Sequence, residues 1–169
     1  MSRQIDPVAI VTGGSCGAGR EIARELARRG YAVIVVYLRD QGEAEAAVEE
    51  ILAANGTALA VRADITDELD VERLFNETKA AFGSVDVVVH TTMRGASVVN
   101  HEAARQLRHA GAIVKLSSSD AITSDLADDL RARDITVNAL TPGLEYPGAD
   151  HDVADLVALL DQWQGSPGD

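Results

Sequence analysis

A glycine-rich segment lies directly between a short apolar run and a helical pattern, and this arrangement constrains the fold more than any other feature of the chain. The segment reads Thr12-Gly13-Gly14-Ser15-Cys16-Gly17-Ala18-Gly19. Residues 7–12 predict a buried strand, and residues 17–29 predict an amphipathic helix that Gly30 ends. A strand, a glycine turn and a helix in immediate succession predict the first half of a βαβ unit.

The same alternation continues along the chain. Further strands are predicted over residues 31–37, 57–62, 85–90, 111–117 and 135–140. Further helices are predicted over residues 43–54, 67–82, 96–110, 121–133 and 152–160. This order predicts an α/β fold, a Rossmann-type doubly wound parallel sheet of about six strands in the order 3-2-1-4-5-6, with helices on both faces. We expect a single domain over residues 1–162 and a flexible tail over 163–169.

The composition argues against several classes of partner. The 169 residues include 27 Asp and Glu against 15 Lys and Arg, and the net charge of −12 would repel nucleic acid and anionic membranes. No apolar run approaches the roughly 20 residues of a membrane helix, and the first residues do not predict a signal peptide. The one cysteine cannot form an internal disulfide, so we expect a cytoplasmic protein.

The glycine-rich segment has the properties of a phosphate-binding loop. Gly13 can adopt a positive φ, while Gly17 and Gly19 allow a pyrophosphate to approach the backbone and the helix to pack on the strand. Free N–H groups and the positive end of the helix dipole would face the phosphates, and Ser15 would add a hydroxyl donor. The alternative is a tight turn without a ligand, which the strand-helix context disfavours. The loop residues expected at the cofactor are Gly13, Ser15, Cys16, Gly17, Ala18 and Gly19.

The spacing Thr-Gly-x-x-x-Gly-x-Gly resembles that of the short-chain dehydrogenase/reductase family. Three later segments extend the resemblance, namely Ala63-Asp64-Ile65-Thr66, Gly-Ala-Ile-Val-Lys-Leu-Ser-Ser at 111–118 and Asp-Ile-Thr-Val-Asn-Ala-Leu-Thr-Pro-Gly at 134–143. The resemblance implies a nicotinamide dinucleotide cofactor and a serine, Ser118, that orients a substrate carbonyl. The cofactor residues it implies beyond the loop are Asp64 and Ile65 at the adenine and His90, Thr91 and Thr92 at the nicotinamide end.

The end of the second predicted strand bears on which dinucleotide binds. Sites that select NAD usually carry an acidic residue there for the ribose 2′-hydroxyl. This chain reads Val36-Tyr37-Leu38-Arg39, with no carboxylate before Asp40. Because Arg39 could pair with a 2′-phosphate, we expect NADP(H) rather than NAD(H). The alternatives are that Arg39 is an ordinary solvated charge and that no cofactor is bound.

Other segments depart from the family pattern. The family reduces carbonyls with a Tyr-x-x-x-Lys pair after the serine, yet neither residue follows Ser118 at that spacing. His90-Thr91-Thr92-Met93 stands where the family has Asn-Asn-Ala-Gly. We expect that a following helix with the family's catalytic Asn is deleted, and Thr92 falls near the place of that Asn. The substrate-covering lobe is reduced to residues 144–149, and we expect no seventh strand. We therefore predict a dinucleotide-binding pseudoenzyme, or one whose role depends on a partner.

A second hypothesis is a minimal NADP-dependent oxidoreductase in which Ser118 or His90 replaces the missing proton donor. For His90, a structural role as a polar residue at a strand end is favoured over a role as a proton donor.

The spacing of His101, His109 and His151 indicates no metal site, and Cys16 is expected to be a small loop residue rather than a reactive thiol. An exposed sixth strand and the helices over 96–110 and 121–133 predict a homodimer or a complex with another protein.

Overall fold

The computed structural model describes residues 6–91, 95–108, 111–115 and 124–139. Within these residues, strands and helices alternate from β1 to β6. The strands are β1 (Val8–Thr12), β2 (Ala32–Tyr37), β3 (Thr57–Arg62), β4 (Val87–His90), β5 (Ala112–Lys115) and β6 (Thr136–Ala139). The helices are α1 (Gly17–Arg28), α2 (Gln41–Ala53), α3 (Glu68–Phe82), α4 (Ala96–Gln106) and α5 (Ser124–Ala132).

All paired strands run parallel, in the order β3-β2-β1-β4-β5-β6. This confirms the predicted Rossmann-type sheet and its strand order. The chain order reverses between β1 and β4, and a crevice for a ligand is expected there, outside the carboxyl ends of the strands. We call this end of the sheet the carboxyl edge and the opposite end the amino edge.

The strand residues pack against helices on both faces of the sheet. On one face, Ile10, Val88 and Ile113 join a core with Leu74, Phe75, Val99 and Leu130 of α3, α4 and α5. On the other face, Ala9, Val11 and Val33 join a core with Ile22, Leu26, Ala44 and Ile51 of α1 and α2. All of β1 and all of β2 except Tyr37 are buried, because each face of the sheet is covered by apolar side chains.

Several predicted boundaries shift by a few residues. The third helix was expected from 67, but Asp67 is its N-cap and accepts a hydrogen bond from the Asp70 backbone N–H, so the helix begins at Glu68. The fourth helix was expected to reach 110, but it ends at Gln106. The buried Leu107 is extended there, and the Arg108 N–H binds the Val85 carbonyl.

The amino edge is closed by Asp86, which is 3% exposed. Its Oδ2 accepts hydrogen bonds from the Val8 N–H at 2.8 Å and the Ser84 hydroxyl at 3.0 Å, and Arg108 Nη1 lies 3.4 Å from its Oδ1. β4 begins at Val87 rather than at the predicted residue 85, although the Asp86 N–H still donates to the Val8 carbonyl at 2.9 Å.

The helix predicted over 152–160 and the tail over 163–169 lie outside the described residues, so the domain boundary at 162 stays a prediction. The same holds for the predicted segments 116–117, 121–123 and 140. Among the helices that the structure describes, none is both long and apolar enough to cross a membrane.

Candidate functional site

The glycine loop turns sharply at the carboxyl edge of β1. Gly13 has a φ of 67° and Gly17 a φ of 56°, which confirms the positive φ expected at Gly13. Gly19 is held for a different reason, since a Cβ built on it would lie 2.0 Å from the Gly13 carbonyl oxygen and 2.7 Å from the Gly13 carbonyl carbon. The first turn of α1 is therefore packed directly on the loop backbone, as a close helix–strand approach requires.

The start of α1 offers an electrostatic environment suited to an anion. Cys16 is the N-cap residue, and its side chain makes no capping hydrogen bond to the helix. The first turn of α1 contains no acidic residue that would oppose the positive end of the helix dipole. Ser15 is buried, Ala18 is half-buried, and Cys16 and Gly17 are exposed. The loop residues can thus present backbone N–H groups to phosphate oxygens.

A cavity of about 390 Å³ opens beside this loop, at the carboxyl ends of β1, β2 and β3. Three separate segments of the chain form it, the glycine loop, the end of β2 and the turn after β3. Its lining residues are Gly13, Ser15, Val36, Tyr37, Leu38, Arg39, Ala63, Asp64, Ile65 and Thr66. The structure therefore brings together five residues that the sequence predicts at the cofactor, namely Gly13, Ser15, Arg39, Asp64 and Ile65.

Asp64 is fixed in the turn after β3 by hydrogen bonds on both sides. Its Oδ1 accepts from the backbone N–H of Thr66 at 2.9 Å and from the Thr66 hydroxyl at 2.6 Å. Its own N–H donates to Oδ2 of Asp70 at 2.9 Å. This backbone hydrogen bond, followed by the Arg73 guanidinium, holds the pKa of Asp70 below its usual value. The position of Asp64 in the cavity wall is thereby set by α3.

Arg39 presents an exposed guanidinium to the same cavity. Within the described ranges, no hydrogen bond or ion pair to another residue engages this guanidinium, whereas arginines such as Arg20 and Arg73 pair with carboxylates. A guanidinium that borders a cavity and makes no ion pair with the described residues is suited to bind an anionic group of a ligand.

His90 lies at the carboxyl end of β4 and is 2% exposed. Its Nε2 is 2.8 Å from Oδ1 of Asn100 on α4, and its Nδ1 is 3.4 Å from the Thr12 hydroxyl. The neighbouring Thr91 hydroxyl donates to the Thr12 carbonyl at 2.5 Å. These contacts join β1, β4 and α4, and they favour the structural interpretation of His90 over its use as an accessible acid.

Two buried polar residues at this edge were not singled out from the sequence. Asn100 is 2% exposed and Lys115 is 5% exposed. The register places Thr12 opposite His90 and His90 opposite Lys115, so the three form a polar row across β1, β4 and β5. A lysine within the apolar run Ala-Ile-Val-Lys was a signal, because lysine is seldom buried unless its ammonium group has a partner.

Of the remaining residues considered in the sequence, the structure describes His101 but not the others. Thr92 and Ser118 lie outside the described residues, as do His109 and His151. His101 is exposed on α4, where its Nδ1 is 2.7 Å from the Ser97 carbonyl oxygen. Where the structure describes the chain, no three His, Cys, Asp or Glu residues are grouped so that they could hold a metal ion.

The family model described as short chain dehydrogenase matches residues 7–110 of this sequence. The 3-oxoacyl-(acyl-carrier-protein) reductase FabG of Staphylococcus aureus is 32% identical over 179 residues, which cover 80% of this chain and 73% of that protein. An uncharacterized oxidoreductase of Methylorubrum extorquens is 30% identical over 89% of this chain and 78% of its own length.

Solved structures resemble this chain over most of its length. A dehydrogenase/reductase from Sinorhizobium meliloti has a TM-score of 0.73 at 29% identity and covers 95% of this chain and 88% of its own. A short chain dehydrogenase from Burkholderia cenocepacia in complex with NADP has a TM-score of 0.71 at 27% identity and covers 94% and 91%. The fold and site define a dinucleotide-binding α/β protein, and the chain belongs to the short-chain dehydrogenase/reductase family.

Proposed function

We propose that this chain binds NADP(H) in preference to NAD(H) and does not perform ordinary carbonyl reduction. The observation that carries this proposal is the contrast between the two halves of the expected site. The glycine loop lines one cavity together with Arg39 and Asp64, while the sequence contains no Tyr-x-x-x-Lys. Family members crystallised with NADP support the choice of cofactor class.

The missing groups carry a large share of the family's chemistry. A positioned general acid contributes about 10²–10⁴-fold to a rate, and substrate positioning can lower a barrier by about 7–11 kcal/mol. A chain with a short segment over 144–149 in place of the family's lobe has little sequence to enclose a substrate. A binding role, alone or beside a partner, therefore fits better than turnover.

The lone cysteine, an exposed free thiol, suits a cytoplasmic location.

A second function is a minimal NADP-dependent oxidoreductase. It is supported by Ser118 at the family's serine position and by the buried Lys115 three residues before it. His90 contributes less to this alternative, because its ring is buried and both of its nitrogens lie within hydrogen-bonding distance of protein groups.

Binding and turnover are separated by one pair of measurements. NADPH and NADH are titrated by nicotinamide fluorescence, and the loss of nicotinamide absorbance is then followed with a panel of aldehydes and ketones. Tight NADPH binding without turnover supports the binding role. Turnover that Ser118→Ala abolishes supports the minimal oxidoreductase. Absence of binding to either dinucleotide would contradict both functions.

The preference for NADP(H) depends on Arg39. We expect Arg39→Ala to weaken NADPH binding about tenfold or more, because a charged hydrogen bond to the 2′-phosphate is lost. NADH lacks this phosphate, so its affinity should stay within about twofold. Arg28→Ala is the matched control, since it removes the same charge from the far end of α1, where Arg28 pairs with Glu25. Equal loss for both dinucleotides in Arg39→Ala would argue against a 2′-phosphate contact.

The chain is also proposed to form a homodimer or a complex with another protein. Among the described strands, β6 pairs only with β5, and this edge of the described sheet is the first candidate surface for pairing with another chain. The helices α4 and α5 are the second candidate surface, because the corresponding family helices commonly pack subunits together. Light scattering at micromolar concentration should give a mass of at least two chains, and a monomer there would count against the homodimer.

A further inference from the structure

Three charged side chains outside the proposed cofactor cavity connect two of its walls through hydrogen bonds. One wall is the turn after β2, with Leu38 and Arg39, and the other is the turn after β3, with Asp64. We infer that Arg62, Asp70 and Arg73, here called the loop clamp, hold these two turns at a fixed separation and thereby position Arg39 and Asp64 for NADP(H). This inference rests on the proposed function and adds to it residues that determine specificity from outside the cavity.

The contacts of the loop clamp run without a break from one turn to the other. Arg62 Nε donates to the Leu38 carbonyl at 3.1 Å. Arg73 Nη2 donates to the Arg62 carbonyl at 2.9 Å and to Asp70 Oδ1 at 3.1 Å. Asp70 Oδ2 accepts from the Asp64 N–H at 2.9 Å. None of the three clamp side chains lines the cavity itself.

The clamp acts on backbone atoms, which distinguishes it from an ordinary surface ion pair. Exposed ion pairs between flexible side chains stabilise little. Here three of the four contacts end on a backbone carbonyl or N–H group of a turn or strand end, so each one fixes the path of the chain. Asp70 is itself anchored in the first turn of α3, where its N–H donates to the N-cap carboxylate of Asp67.

Two members of the clamp, Asp70 and Arg73, shift each other's pKa in opposite directions. The Asp64 N–H and the Arg73 guanidinium hold the pKa of Asp70 below its usual value. Asp70 and, to a lesser extent, Glu77 hold the pKa of Arg73 above its usual value. Both groups are therefore ionised near neutral pH, so their ion pair persists under the conditions of the binding assay.

The effect of the clamp on Arg39 is tested with Arg62→Ala. The Leu38 carbonyl is then no longer held by Arg62, and the adjacent Arg39 is expected to sample positions away from the 2′-phosphate. NADPH affinity should fall about fivefold, with little change for NADH, so the NADPH preference falls by about the same factor. Arg62→Lys, which can still donate to the Leu38 carbonyl, should restore part of the preference. Dissociation constants come from fluorescence titration, and urea unfolding checks that each variant is folded.

A double variant separates positioning from general destabilisation. In the Arg39→Ala background, Arg62→Ala should leave the ratio of the two affinities unchanged, because the group that it positions is gone. Asp70→Ala should weaken both dinucleotides, since it releases Asp64 at the shared adenosine end. Glu77→Ala is the control for Asp70, because it removes the other carboxylate partner of Arg73 and touches neither turn.

Two results would overturn the inference, and they differ in whether the proposed function fails as well. If Arg39→Ala reduces the NADPH preference but Arg62→Ala does not, the clamp plays no part in specificity while the proposed function stands. If the unaltered protein binds neither dinucleotide, the proposed function fails and the clamp inference fails with it.

Discussion

We expect the Gly19→Ala protein to lose NADPH affinity by about 100-fold and about 1–3 kcal/mol of stability. The added Cβ would stand 2.0 Å from the Gly13 carbonyl oxygen, and the nearest atoms are all backbone. Because no flexible side chain is involved in this clash, it can be relieved only if the backbone of the loop or of the first turn of α1 shifts. If the phosphates bind as proposed, such a shift would weaken the hydrogen bonds from the loop N–H groups to these charged acceptors.

Gly42→Ala is the matched control, because a Cβ at Gly42 would meet no atom within 4 Å. Gly42 lies in α2, where alanine is the better helix former, so stability should be unchanged or slightly higher. Stability is measured by urea unfolding and affinity by NADPH fluorescence. Retained NADPH binding in a folded Gly19→Ala protein would show that the phosphates do not lie on this loop.

Asp86→Ala should lower the free energy of unfolding by about 3 kcal/mol, because it removes a buried acceptor that backbone and side-chain groups share. The substitution leaves the N–H of Val8, a fully buried residue, without its 2.8 Å acceptor at the start of the central strand. It also frees the Ser84 hydroxyl. Because Asp86 lies at the amino edge, the cofactor affinity of the folded fraction should be unchanged.

The control for this prediction is Arg108→Ala. The Arg108 side chain is 53% exposed and contacts Asp86 at 3.4 Å, so its loss should cost less than about 1 kcal/mol. Urea unfolding of the two variants gives the comparison. An equal loss of stability in both would mean that the ion pair, rather than the hydrogen bond to Val8, is the interaction that matters.

The features predicted well from the sequence are those that local sterics decide. The turn at Gly13 needs a positive φ, and the alternation of apolar strands with helices leaves few arrangements of a parallel sheet. The end of α4 was predicted poorly. Residues 107–110 continue a helical pattern, yet Leu107 is extended because burial against the core and the Arg108–Val85 backbone contact decide its conformation.

The parts of the site that escaped prediction depend on contacts between distant segments. Asn100 meets His90 only because α4 packs over the end of β4, and Lys115 joins the polar row only through the register of β4 with β5. The clamp residue Arg62 lies 24 positions from Leu38 in sequence. Nothing in the local pattern around an arginine at a strand end distinguishes this role from that of a solvated charge.

Asp86 lies at the amino edge of the sheet and the proposed cofactor cavity lies at the carboxyl edge, and this separation affects how the chain can be engineered. The hydrogen bonds of Asp86 lie at one end of the sheet, and the residues expected to meet a ligand lie at the other. Insertions in the turns that line the cavity, after β2 and β3, need not disturb the hydrogen bonds of Asp86. The ligand end is therefore suited to loop grafting, in which a segment that carries Tyr-x-x-x-Lys is added to this frame to test whether the proposed lack of turnover follows from its absence.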